Sequence, residues 1–228
     1  MGWGGWNCGC CPIVTENDTG FYELAFASIG GGCRLTTSNI DQLLPCATLA
    51  MIGTSNACSQ WTQFLPVVEN FVTWLKVGGK RLYIAGEFTT CLTAEGYTVT
   101  NNFLSAVGST MSLSPATCDY YCGDGNVGLM GAPTNVQIMQ GLGGVVHNAC
   151  CEVLGGTAIC MTTQTAQNAY GSCYPAFSFI SGEFVYDKSI VVLAGDCNIA
   201  NGTGVTCNPA NNFTFFNRLL TLPINNIL

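Results

Sequence analysis

The sequence predicts an α/β fold, a three-layer sandwich with a mostly parallel central sheet. Three observations predict it. Ser189-Ile-Val-Val-Leu-Ala194 is a short apolar run, β-branched at its middle and stopped by Gly195-Asp196, which reads as a strand buried on both faces. Lys80 to Ala85 reads as a second such strand, closed by Gly86-Glu87. Between a third apolar run, Cys46 to Ile52, and that strand, Trp61, Phe64, Leu65, Val68, Phe71, Val72 and Leu75 recur at helical spacing. Strand, amphipathic helix and strand in this order are the unit from which parallel sheets are built.

Taken in order, Met1 to Pro12 is rich in Gly, Trp and Cys and has no periodicity, so residues 1–20 are read as an ordered arm. Residues 21–228 form a single α/β domain with a loop-rich insertion at about 114–150. Phe21 to Ile29 is a first strand or short helix, punctuated by Gly30 to Gly32. The strand Ala47–Ile52 follows. The helix after it starts near Pro66, a residue suited to a first turn, and ends at Gly78-Gly79. Asn101 caps a short helix to Val107, and Ser114 to Gly144 is loop-like, with Pro115 and Pro133. Val153-Leu154 and Thr157 to Met161 are two arms around Gly155-Gly156. Phe177 to Ser181 is an apolar run that turns through Gly182-Glu-Phe184 into the strand Ile190–Ala194. Asn211 or Asn212 caps a last helix over about 212–221, carrying Phe215, Phe216, Leu219 and Leu220.

Composition narrows the function. Charged residues are 8% of the chain, against about 25% in an ordinary soluble domain. The surface is therefore Ser, Thr, Asn, Gln and Gly, which is less costly to desolvate against a neighbour than ions are. A net charge of −7 argues against nucleic acid as a partner. No apolar block reaches the ~18 residues of a membrane span. The 15 cysteines are an odd number, so at least one is a free thiol or bonds another chain. Such density belongs to an oxidising compartment, yet the start has neither a basic nor an apolar signal region. A virion or extracellular location reconciles the two. Cys118 and Cys122, close together in a loop with Tyr and Gly, are the local disulfide candidate.

Phe71 to Gly86, Asn102 to Gly108, and Ser189 to Ile199 with Asn212 to Leu222 together resemble the class I glutamine amidotransferase-like (flavodoxin-like) superfamily, in its non-catalytic branch. In these domains a helix ends in Gly-Gly before a strand, and a late strand ends in Gly-Asp before a loop and a closing helix. The resemblance covers roughly residues 45–110 and 150–223. It implies a flavodoxin-like sheet and, in catalytic members, a Cys on a glycine-flanked elbow followed by His and Glu. This chain has no Gly-x-Cys-x-Gly, and its single histidine, His147, precedes Cys197. No catalytic residue and no cofactor is assigned. Cys91 or Cys151 with His147 is the dyad that a cysteine enzyme would use, and a lone core or loop histidine is the simpler alternative.

Asp196 and Asn198, at a strand's carboxyl end, are the ligand-binding candidates, because open α/β sheets bind ligands there. A loop-ordering carboxylate is the structural alternative. Asp196 and Asp124 could hold a hard cation. The pairs at Cys8, Cys10 and Cys11, at Cys118 and Cys122, and at Cys150 and Cys151 lack the spacing of a zinc site, and no metal is assigned. Trp3, Trp6 and Ile13 are aromatic and aliphatic anchors of the kind that dominate interfaces. The expected function is a non-enzymatic structural or interaction subunit of a larger assembly, plausibly a phage virion component, with other subunits and copies of itself as partners. The alternatives are a cysteine-dependent hydrolase or amidotransferase-like enzyme, and an extracellular ligand- or glycan-binding module using Tyr120, Tyr121, Tyr170 and Tyr174.

Overall fold

The structure is a computed structural model that describes residues 13–15, 32–53, 64–87, 92, 94–119, 129–147, 149–162, 177–200 and 210–228. Its main sheet has eight strands. Five of them are β1 (Ile13–Thr15), β2 (Cys33–Arg34), β3 (Leu49–Gly53), β4 (Arg81–Ala85) and β12 (Ser189–Ala194), which run parallel in the order β2-β1-β3-β4-β12. From β12 outward the pairing reverses. β11 (Ser178–Val185), β10 (Thr157–Met161) and β7 (Ala132–Pro133) follow in antiparallel succession. Two small antiparallel sheets join β5 (Ser112–Asp119) to β9 (Ala149–Leu154), and β6 (Leu129–Met130) to β8 (Val146–His147). The main sheet is mixed, with four parallel and three antiparallel pairings, and the two small sheets bring the antiparallel pairings among the described residues to five. This corrects the expected mostly parallel, flavodoxin-like sandwich.

The reason for the error is physical. Every residue of β12 is buried, as expected, but burial on both faces comes from the layers above and below, not from strand direction. β12 pairs parallel with β4 on one side and antiparallel with β11 on the other, and its side chains do not register the difference. The turn that makes the reversal carries no glycine. In the three-residue link Tyr186–Lys188, Tyr186 and Asp187 both adopt left-handed backbone, φ 52 and 58, and the Lys188 N–H donates to the Val185 carbonyl at 3.3 Å, closing the turn. Gly182, expected to be the turn, lies inside β11, where a Cβ would meet Leu228 at 2.8 Å.

Two cores lie against the sheet. One gathers α2 (Val68–Lys76), α3 (Ala94–Ala106) and the β5–β9 pair over Ile52, Leu82, Ile84, Val191 and Leu193. The other sets α4 (Ala210–Thr221) over Tyr83, Ile190 and Val192, with Phe215 and Phe216 edge-on to each other at 5.3 Å. A 3-10 turn at Leu65–Val67 leads into α2, with Pro66 in its first turn. Gly78 and Gly79 end α2 at φ 90 and 71. On its buried side, Trp74 donates its indole N–H to the Ala47 carbonyl at 2.9 Å, fixing α2 to the approach to β3.

Three more expectations change. α3 begins at Ala94, well before Asn101, because Gly96, Tyr97 and Thr100 share its buried stripe with Phe103 and Leu104. β5 runs through residues expected to be loop, and it accommodates Pro115 at a shift of register between Ser114 and Thr117, the kind of break in a ladder where proline is tolerated. The arms around Gly155-Gly156 belong to different sheets, β9 with β5 and β10 with β11 and β7. Among the described residues no helix is long and apolar enough to cross a membrane.

Candidate functional site

The site candidate named by the sequence stands at the carboxyl ends of β4 and β12. These strands are parallel with Ala85 opposite Ala194, and the Gly86 N–H donates to the Ala194 carbonyl at 2.6 Å. The residues after the two glycines, Glu87 and Asp196, therefore leave neighbouring strands at equivalent heights. Both are buried, at 3% and 0% exposure. Cys151 of β9 joins them, its N–H donating to the Gly195 carbonyl at 2.9 Å. A Cβ on Gly195 would lie 2.0 Å from the Cys151 carbonyl oxygen, so only glycine permits this approach. Tyr97 of α3 closes the group by donating its hydroxyl to the Glu87 carbonyl at 3.0 Å.

The electrostatics of this group silence the thiol. Burial pushes the Cys151 thiol up to about 12. A hydrogen bond with Tyr97 opposes that shift, and the negative charges of Glu87 and Asp196 add to it. A thiol is nucleophilic only as the thiolate, so Cys151 is held in its inert form at neutral pH. Cys150 and Cys160 are also buried and outside any disulfide, and burial likewise pushes the Cys160 thiol up to about 12. Cys33 and Cys46 are each disulfide-bonded.

The histidine is shut in as well. His147 is 1% exposed on β8, tilted against Phe179 with ring centroids 4.4 Å apart. Burial lowers its pKa to about 4, so it is neutral, and its Nδ1 has no hydrogen-bond partner among the described residues. Phe179 belongs to one core and Cys151 to the other, so the sheet does not bring Cys151 and His147 together as a dyad. Cys91, the other proposed thiol, lies outside the described residues.

Of the remaining sequence candidates, Asn198 lies in a short 3-10 turn, Cys197–Ala200, with its side chain outside the description. Ile13 opens β1 and pairs with Leu49 inside this chain's own sheet. Trp3, Trp6, Cys122 and Asp124 lie outside the described residues. The backbone of Cys118 faces Cys150 across the β5–β9 ladder, within a strand and not in the expected loop. Among the described residues no three His, Cys, Asp or Glu side chains gather to hold a metal ion. The strand order reverses at β1, between β2 and β3, whereas Asp196 ends β12. Asp196 therefore does not stand at the reversal of strand order where open sheets bind ligands.

Glu87 is the residue that sequence reasoning passed over. Its signal was present: Gly86-Glu87 and Gly195-Asp196 each place an acid just after a glycine at the end of an apolar strand. Asn212 is a second omission, since it is not a cap. Wholly buried in α4, it accepts the Val146 N–H at 2.7 Å and donates to the carbonyls of Val146 and Ile199 at 2.9 and 3.1 Å. No protein-family model and no curated protein matches the chain.

Proposed function

We propose that this chain is a non-enzymatic interaction subunit of a larger assembly, of the kind found in a virion. The observation that carries this reading is the state of its reactive groups. The thiol best placed at the strand ends, Cys151, is held protonated behind two buried carboxylates, and the imidazole of His147 is neutral and enclosed. A cysteine hydrolase needs a thiolate beside a base, both within reach of substrate. Neither group meets that need here.

Contact surface supports the same reading. Val77 is 71% exposed at the end of α2, and Phe184 and Tyr186 stand out at the β11–β12 turn beside it. The Lys76 ammonium lies 5.4 Å from the centre of the Tyr186 ring, so the turn and the helix end form one surface. Large aromatic and aliphatic side chains of this kind supply most of the energy of protein interfaces.

Three measurements test the proposal together. Sedimentation of the full chain should give a mass well above the 24.0 kDa of one copy, either alone or with its neighbouring subunits. Removal of residues 1–9, which takes out Trp3 and Trp6 and leaves β1 whole, should lower that mass without changing the melting temperature. Iodoacetamide at pH 8 should leave Cys151 unmodified in the folded chain. Rapid alkylation of Cys151 in the native protein would instead favour the cysteine enzyme.

A further inference from the structure

The amino ends of β4 and β12 carry a face of their own. Four of the five large apolar side chains that stand exposed among the described residues gather there: Val77, Leu154, Phe184 and Tyr186, at 36 to 71% exposure. Short contacts join them around the β11–β12 turn. Val77 ends α2 and leads into Gly78, where a Cβ would lie 2.9 Å from that of Lys188. A Cβ on Gly108, just after α3, would lie 3.1 Å from the Tyr186 hydroxyl. Glu183, next to Phe184, accepts from the hydroxyls of Ser109 and Thr110 at 2.7 Å each. On the far side of Thr110 comes Gly155, next to Leu154, where a Cβ would lie 3.2 Å from the Thr110 carbonyl oxygen.

The same end collects the cations. Lys76, Lys80, Arg81, Lys188 and Arg218 lie there, five of the six basic residues of the chain. Lys76 ends α2 with its ammonium 5.4 Å from the centre of the Tyr186 ring, and Lys188 closes the turn that carries that ring. α1 (Ile40–Leu43) and the 3-10 turn Leu44–Cys46 descend to this end, where the Lys80 ammonium donates to the carbonyls of Pro45 and Ala47 at 3.3 and 2.7 Å. Arg81 donates to the Leu222 carbonyl, just past α4, at 2.7 Å, and Arg218 stands in the last turn of that helix. Among the described residues none of the five pairs with a carboxylate. The β11–β12 hairpin adds two acids, of which Glu183 is engaged by Ser109 and Thr110.

The opposite end is acidic. Glu87 and Asp196 follow the carboxyl ends of β4 and β12, and α2 and α3 begin above them with exposed Glu69 and Glu95 in their first turns. Arg34, which ends β2, is the one base left outside the cluster. The molecule is thus positive and apolar at one end of its strands and negative at the other.

We propose that the amino-end face docks on the acidic carboxyl end of a second copy of this chain, head to tail. The proposal rests on the reading of the chain as an assembly subunit, and it names the partner of the exposed surface. Val77, Leu154, Phe184 and Tyr186 supply burial, and opposite charge sets orientation. Two amino-end faces set against each other would juxtapose like charges, so the contact is not a symmetric pair. An anionic membrane would attract this face but repel a chain of net charge −7. A head-to-tail contact repeats into a ring or a filament.

The experiment is sedimentation of the full chain beside two charge-reversed forms, one with Lys76→Glu and Lys188→Glu, the other with Glu69→Lys and Glu95→Lys. All four side chains are exposed, so both forms should keep the circular dichroism of the parent. Each form alone should associate about ten-fold or more weakly than the parent, and raised salt should weaken the parent itself. An equimolar mixture of the two forms, whose facing ends are again opposite in charge, should recover the heavier species. Unchanged association of either form, or a mixture as light as its parts, would overturn the proposal and leave the assembly reading in place. So would a full chain that stays at 24.0 kDa alone and enters a larger species only with other subunits. A chain that does neither fails both. Binding to phosphatidylserine vesicles that is lost with Lys76→Glu and Lys188→Glu would give this face to a membrane and overturn the proposal as well.

Discussion

At the scale of single residues, His147 ties the chemistry of one side chain to the stability of the whole. An ordinary imidazole takes up its proton near 6.5, whereas the buried His147 does so only at about 4. Between these values the unfolded chain binds more protons than the folded one, so stability falls as pH drops from about 6.5 towards 4. The full displacement amounts to about 3 kcal/mol, at about 1.4 kcal/mol per pH unit. Glu183 acts lower on the scale. Burial alone would raise its pKa, but hydrogen bonds from Ser109 and Thr110 hold it below the usual carboxylate value, so its contribution is lost only as pH falls through that lowered value. Denaturant unfolding between pH 6.5 and 4.5 should thus carry the contribution of His147. His147→Phe, which keeps a ring against Phe179 and has no proton to gain, should flatten the profile there; a profile as steep as that of the parent chain would refute the assignment.

At the scale of elements, two asparagines act as substitutes for a missing strand. Asn101 in α3 accepts the Leu113 N–H at 2.8 Å and donates to the Leu113 carbonyl at 3.1 Å. Asn212 in α4 does the same for Val146, and reaches Ile199 as well. Each side-chain amide satisfies a strand residue as a neighbouring peptide would. Asn212→Ala should cost about 2–4 kcal/mol in chemical denaturation, because an N–H and two carbonyls lose their partner in a dry core. Asn101→Ala, at a half-buried site, should cost less. Neither role was legible in the sequence, where an Asn at the start of an apolar helix reads as a cap. β3, β4, β12 and the α2 stripe were legible, since their apolar periods depend on neighbours within the same segment. The turn at Tyr186-Asp187, the strand through Pro115 and the start of α3 were not. Each is imposed by contacts distant in sequence, which local propensity does not encode. The site was half legible for the same reason: Asp196 follows a readable strand, while its meeting with Glu87 and Cys151 depends on the register of three strands.

At the scale of the whole molecule, β12 is the seam between a parallel half drawn from the first 85 residues and an antiparallel half drawn from later ones. Its partner β4 precedes it by more than a hundred residues and is buried along its whole length. This has a consequence for the order of events during synthesis. Until Ser189–Ala194 emerges, the outer edge of Arg81-Leu-Tyr-Ile-Ala85 has its backbone groups unpaired, a template for the same strand of another nascent chain. The low charge of the chain leaves little repulsion to keep such edges apart. A chain ending at residue 176 should therefore form light-scattering aggregates, and residues 177–228 supplied as a separate fragment during refolding should suppress them. A clear, monodisperse solution of residues 1–176 would contradict this. If the prediction holds, premature termination would produce not merely an inactive fragment but one able to capture its own full-length siblings during their translation.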